Sequence, residues 1–137
     1  MRTKAKTDSL STLIHELDAV FSRYIRKRDT KDGVIKCFIC GAKMSFSEAQ
    51  CGHWIDRDQM PTRYDEMNCH AICEECNCFD TEHHFKYSDA MLEEYGESEI
   101  NRIAKKSRSL QKFMRFEIED LIEAYRLKVS ELKKTKV

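Results

Sequence analysis

The stretch RYDEMNCHAICEECN, Arg63 to Asn77, closes on Cys73 and Cys76, and CFICG, Cys37 to Gly41, carries a matching pair, Cys37 and Cys40. Each Cys-x-x-Cys forms a tight knuckle that presents two thiolates to one ion. Two knuckles complete the four-thiolate tetrahedron of a closed structural zinc site. Between them lies CGHWIDR, Cys51 to Arg57, with its Gly52-His53 step, and Asn77 follows the last cysteine directly. The expected fold is therefore a small zinc-clamped core built around one histidine.

A chain of 137 residues suits a single domain with one modest core. No apolar run is long enough to span a bilayer, and the basic stretch Met1 to Thr7 lacks the apolar segment of a signal peptide. The expectation is a cytoplasmic protein with no membrane partner. Disulfides are uncommon there, and seven cysteines is an odd number, so a disulfide framework fits poorly. With four assigned to zinc, Cys51, Cys69 and Cys78 read as buried free thiols, a share in metal binding being the alternative.

The net charge of zero hides a pattern. Residues 1–36 carry nine Lys/Arg against five Asp/Glu, residues 37–95 four against twelve, and residues 96–137 eleven against seven. An acidic centre between basic flanks suits cations at the centre and a phosphate backbone on the flanks, although solvated helix faces give the same counts.

Helical spacing over Leu10, Leu13, Ile14, Leu17, Val20, Phe21, Tyr24 and Ile25, with Asp8 or Ser9 as cap, predicts an N-terminal helical segment over 8–31, ended by the Asp32-Gly33 turn. Val34 to Phe38 reads as a short strand leading into the first knuckle. Residues 41–70 read as short strands and loops, with His53 near the end of a strand. The zinc-clamped core runs over 34–87 and C-terminal helices over 88–137. Asp89 to Tyr95 is expected helical, with Ser88 as cap and Gly96 as stop, and Ser98 opens a helix to about Lys106. A last helix of about 25 residues is expected from Ser109 onward, with a stripe from Leu110, Phe113 and Met114 through Ile118, Leu121, Ile122, Tyr125 and Val129 to Leu132. Part of that stripe is free to serve a partner or a dimer, packing within the domain being the commoner use.

Hydrolysing a phosphodiester needs a base to activate water and a divalent cation to neutralise charge on the phosphate and the leaving oxygen. Histidine is the natural base near neutral pH. His53 has the setting for it, whereas His15 has none. Asn77 places an oxygen donor at the edge of the pinned segment, and Mg²⁺ prefers oxygen ligands and needs few from the protein.

In the order Cys-x-x-Cys, Gly-His, Asn, Cys-x-x-Cys-Asn the chain resembles the HNH (ββα-metal, His-Me finger) endonucleases, and in detail the NinG/Rap recombination endonucleases of lambdoid phages. YIRKRD (Tyr24 to Asp29), CFICG, CGHWIDR, RYDEMNCHAICEECN and KYSDAMLEEYG (Lys86 to Gly96) carry the resemblance. It implies that His53 is the general base, that Asn68 is the middle asparagine holding the histidine loop, and that Asn77 is a ligand of catalytic Mg²⁺ or Mn²⁺. It implies as well that Cys37, Cys40, Cys73 and Cys76 hold one structural zinc. Two departures stand out. Gly52 occupies the place where many HNH enzymes carry an Asp ligand. His83-His84 stands where a Gly-Asn pair is expected, which makes His83 a second candidate ligand. His70 belongs to the motif with its role open between metal ligand and hydrogen-bonded structural residue.

The resulting expectation is an α+β, predominantly helical chain: a small zinc-clamped ββα-metal core between N-terminal and C-terminal helices. Its expected activity is metal-dependent endonucleolytic cleavage of branched recombination DNA, Holliday junctions and forks, in the bacterial host cytoplasm. Arg23, Arg26, Lys27, Arg28, Arg57, Lys105, Lys106, Arg108, Lys112 and Arg115 are candidate DNA contacts. Coordinated cutting of two strands would suit a homodimer. The competing readings are a non-catalytic zinc-stapled DNA- or protein-binding module, a general HNH nicking enzyme without branch preference, and a redox thiol protein. The last leaves Gly52-His53 and the asparagines without a role.

Overall fold

The computed structural model describes residues 8–135. From α1 (Leu10–Arg28) the chain passes through β1 (Thr30–Lys31), β2 (Val34–Lys36), β3 (Lys43–Met44) and β4 (Gln50–His53) to a one-turn helix α2 (Met60–Arg63). A 3-10 turn (Glu66–Asn68), β5 (Cys69–Ile72) and a π-turn (Glu75–Phe79) follow, then α3 (His83–Tyr95), α4 (Glu97–Ser107) and α5 (Arg115–Thr135). The architecture is mixed and helix-rich.

Ser9 caps α1, its hydroxyl accepting from the Thr12 amide at 3.0 Å, and Arg26, Lys27 and Arg28 place cations in the last turn, where the helix dipole favours them. The α1 stripe Leu13, Leu17, Val20, Phe21 and Ile25 is buried, and Ile118, Ile122, Tyr125 and Val129 of α5 meet it. Fully burying an aliphatic side chain of this size contributes roughly 1.5–3 kcal/mol. The α1–α5 pair is thus the main apolar support for what lies on it.

What lies on it is the antiparallel pair β4–β5, with Gly52 opposite His70 and His53 opposite Cys69. Side chains alternate across a strand, so Cys51, His53 and Cys69 share one face while Gln50, Gly52 and His70 share the other. Cys51 and Cys69 pack with the α1–α5 cluster. Beyond the other face a second cluster gathers Ile35, Met44, Trp54, Ile72, Tyr87, Met91 and Ile103. Two buried clusters therefore replace the one modest core expected. The reason is local: every residue of β5 is buried, and a two-stranded ribbon without a polar face needs cover on both sides.

Three other expectations need correction. Residues 41–70 are not only strands and loops, because Pro61 sits in the first turn of α2, where its fixed φ is preorganised and its missing N–H costs nothing. Helix α3 starts at His83 rather than Asp89, and Ser88 is no cap: it lies inside the helix, its hydroxyl accepting from Trp54 Nε1 at 2.8 Å. The last helix begins at Arg115, so Leu110 and Met114 fall off its stripe and stand 95% and 60% exposed. Glu117 sets that boundary by reaching back to accept from the Met114 amide at 2.8 Å, half of a capping box. Gly96 does end α3 as expected, with φ +83°, and α4 starts beside it. Among the described residues no helix is long and apolar enough to cross a membrane.

Candidate functional site

The first knuckle hangs between β2 and β3. The Cys40 amide donates to Cys37 Sγ at 3.5 Å, the Gly41 amide to the Cys37 carbonyl at 2.9 Å, and Gly41 takes the φ of +77° that this turn demands. The second knuckle repeats the pattern after β5, with the Cys76 amide 3.5 Å from Cys73 Sγ. Cys40 Sγ and Cys73 Sγ lie 3.8 Å apart, and all four sulfurs fall within 4.8 Å of one another. The cluster could hold a structural zinc: the donors are soft, four in number, and leave no open position.

His53 closes β4 and is half-buried on the α1 side. Its Nε2 lies 2.9 Å from the Arg63 carbonyl. A carbonyl only accepts, so Nε2 carries the proton and Nδ1 keeps its lone pair. Burial pushes the His53 pKa below the ordinary imidazole value, and the Arg63 and Arg57 charges push the same way against the Arg63 hydrogen bond and Asp18. The ring is thus held toward its neutral form in a defined tautomer. Arg63 is itself locked: Nε and Nη2 grip Asp18 of α1 at 3.0 and 2.5 Å, and the Tyr64 hydroxyl donates to the same carboxylate at 2.8 Å. Asp18, Ser22, Cys51, His53 and Arg57 line one small cleft.

Asn68, fully buried, ties down the loop after His53. Its Oδ1 accepts from the Ile55 amide at 2.9 Å, and Nδ2 donates to the Ile55 and Thr62 carbonyls at 3.0 and 3.2 Å. Three helices brace the segment that carries it. Arg102 and Lys106 of α4 bond Asp65, Tyr24 of α1 bonds Glu66, and Tyr125 and Lys128 of α5 bond Glu66 as well.

On the opposite face, Asn77 gives Nδ2 to Gln50 Oε1 at 2.7 Å, which leaves Oδ1 beside Gly52. A Cβ at Gly52 would lie 3.5 Å from Asn77 Oδ1 but only 2.2 Å from Ile72 Cδ1. The Ile72 side chain fills the room that an aspartate at this position would need. His83 lies against the second knuckle, its Nδ1 2.5 Å from the Cys76 carbonyl and its ring edge-on to Tyr87. His70 is enclosed between two tyrosines. The Tyr87 hydroxyl donates to the Gly52 carbonyl at 2.8 Å, so His70 Nδ1–H donates to Tyr87 and Nε2 accepts from Tyr95 at 2.6 Å. Burial, with Arg28 nearby, pushes the His70 pKa down to about 3. His70 is a neutral, hydrogen-bonded structural histidine stacked on Phe38.

The basic candidates divide. Arg28 is occupied within the protein, donating to the Glu66 and Cys69 carbonyls at 2.7 Å each and to Asp29. Lys106 is held by Asp65, and Arg26 bonds the Phe46 carbonyl while it and Lys27 sit over the Phe46 ring. Arg23, Arg57, Lys105, Arg108 and Lys112 are exposed, and Arg115 pairs with Glu119. Sequence reading missed Asp18, Arg63 and Gln50. Asp18 and Arg63 lie 45 residues apart, so only the tertiary fold joins them.

The family described as "Bacteriophage Lambda NinG protein" matches residues 1–135. No curated protein and no solved structure matches the chain. A match over nearly the whole length shows the family: the chain belongs to the bacteriophage lambda NinG proteins.

Proposed function

We propose that this NinG-family chain is a metal-dependent, structure-selective DNA endonuclease that hydrolyses phosphodiester bonds in branched intermediates of phage recombination. A phage recombination role is consistent with the family. The observation that carries the catalytic reading is the His53–Arg63 hydrogen bond, which leaves Nδ1 basic in a cleft that also holds Arg57.

In this reading Nδ1 takes a proton from a water molecule, and the water oxygen attacks phosphorus as the bond to the leaving oxygen breaks. The imidazolium that forms keeps its Nε2–H on the Arg63 carbonyl, with the Asp18 carboxylate near enough to favour the charge. Arg57 offers a guanidinium to a phosphate oxygen. Asn68 fixes the loop between His53 and Arg57, so base and cation hold their separation. A bound Mg²⁺ or Mn²⁺ would supply charge neutralisation on the phosphate and leaving oxygen. The oxygen donor expected for such an ion, Asn77 Oδ1, has no carboxylate beside it at Gly52 and lies across the β4–β5 ribbon from His53, so an ion in the His53 cleft would rely on water and phosphate oxygens. A donor set this lean fits Mg²⁺ that retains waters and takes phosphate oxygens from DNA.

The test is a cleavage panel of single-stranded, duplex, flap, three-way and four-way DNA, with and without Mn²⁺, for the wild type and His53→Ala. Branched substrates should be cut only with metal. His53→Ala should retain fold, the zinc of the four-cysteine clamp and DNA binding while losing about 10²–10⁴ in rate. Wild-type protein that binds junctions and cuts nothing would leave a zinc-stapled DNA-binding module, and equal cutting of linear and branched DNA would leave a general nicking enzyme.

A further inference from the structure

Cys51, His53 and Cys69 stand on one face of β4–β5, and two thiol sulfurs and an imidazole nitrogen lie within 4.8 Å of one another. Neither cysteine belongs to the four-sulfur clamp, and neither is in a disulfide. We infer that these three residues form a second metal site, selective for a thiophilic d¹⁰ ion such as Zn²⁺, whose occupation takes the His53 imidazole out of use as a base. The binding part stands by itself, while the inhibition rests on the endonuclease reading above.

Geometry is close to what the ion requires. Tetrahedral zinc with sulfur at about 2.3 Å and nitrogen at about 2.0 Å sets its ligand atoms roughly 3.5–3.8 Å apart, against an upper bound of 4.8 Å for the three atoms here. One imidazole nitrogen is tied to the Arg63 carbonyl, which also accepts from Cys69 Sγ at 3.8 Å, and hydrogen bonds of this kind orient metal-bound histidines. Cys51 and His53 also line the cleft beside α1, which provides an entry path to the fully buried Cys69.

Charge balance agrees. Binding releases one proton from each thiol, and two thiolates then cancel the dication, so a half-buried site gains no net charge. The neighbouring Asp18–Arg63 pair is already self-compensated. Two sulfurs and one nitrogen form a soft set that Mg²⁺ does not favour, and three protein ligands leave a fourth position open to water. The ion that supports cleavage and the ion bound here therefore differ in class, and the second acts on cleavage only by occupying His53.

The experiment titrates the full chain with Zn²⁺ against a chromophoric chelator, and in parallel with Co²⁺, reading thiolate-to-metal absorption. The wild type should take two equivalents, whereas Cys51→Ala and His53→Ala should take one. Cys78→Ser, altered at an exposed cysteine outside the cluster, should keep two. Circular dichroism verifies folding, and Cys51→Ala is the leading variant because Cys51 is only half-buried while Cys69 is in the core. One equivalent in the wild type, or two in Cys51→Ala, would overturn the site.

In the cleavage assay with Mn²⁺, the second zinc equivalent should slow the wild type by the size of a lost base, about 10²–10⁴-fold. Cys51→Ala should keep, in excess zinc, the rate it has at one equivalent. A second equivalent that binds without slowing a working enzyme would overturn the inhibition. A chain that binds two equivalents yet cuts no DNA at one would overturn the endonuclease reading and leave the site standing.

Discussion

Replacing Asn68 by alanine removes three hydrogen bonds at once and leaves their partners behind. The Ile55 amide and the Ile55 and Thr62 carbonyls lose an amide that met them at 2.9, 3.0 and 3.2 Å. Thr62 is fully buried, so water does not replace its partner, whereas Ile55 is half-buried and partly recoverable. Each stranded buried group costs about 1–3 kcal/mol, which puts Asn68→Ala at about 3–5 kcal/mol. For a chain of this length that is roughly 10–20 °C in Tm. Asn68→Asp should cost about as much, since it keeps the acceptor for Ile55 but aims a carboxylate oxygen at two carbonyls. Urea unfolding at fixed zinc concentration measures both, because zinc bound only to the folded state would otherwise move the midpoint. A loss below about 1 kcal/mol for Asn68→Ala would refute the clamp, since it would mean that the 54–62 loop is held by other contacts.

Cys73→Ser should lose one zinc equivalent and unfold the core, because metal binding supplies much of the folding free energy of small clamps; metal analysis with circular dichroism checks this, and a folded zinc-free variant would contradict it. The His70 pKa lies far below its unfolded value, so the unfolded chain binds more protons as pH falls. The stability tied to neutral His70 is complete above about pH 6.5 and drains away as pH falls toward about 3. Unfolding curves at pH 7.5 and 5 should therefore show a smaller acid loss in His70→Gln than in the wild type. Gly52→Ala should destabilise by about 1–3 kcal/mol through its clash with Ile72. Adding Ile72→Ala should recover part of that in thermal melts beyond what the two single changes sum to. Arg23→Glu and Lys105→Glu, both at exposed positions, should each lower the slope of log affinity against log salt by about one for junction DNA, with little regard to sequence.

The local elements were legible in the chain because their causes are local. Ser9 and the α1 stripe, the Asp32-Gly33 turn, the knuckles and the stop at Gly96 each depend on residues within a few positions of one another. Residues 41–70 were less legible, since Pro61 both breaks and begins helices, and only the packing around it shows which. The start of α3 was hidden because its first turns are polar and its anchor, Trp54 on Ser88, comes from a distant loop.

By itself the sequence determined the four cysteines that could hold a zinc, the position of His53 at a strand end, and family membership, because spacing along the chain carries all three. Only the tertiary structure decided what each group can do. It set the His53 tautomer through a carbonyl ten residues away and placed Asn77 and His53 on opposite faces of one ribbon. It turned Arg28 and Lys106 inward and made His70 a packing residue. A side chain's type is written in the sequence, but its protonation, partners and exposure depend on neighbours that only the fold assembles.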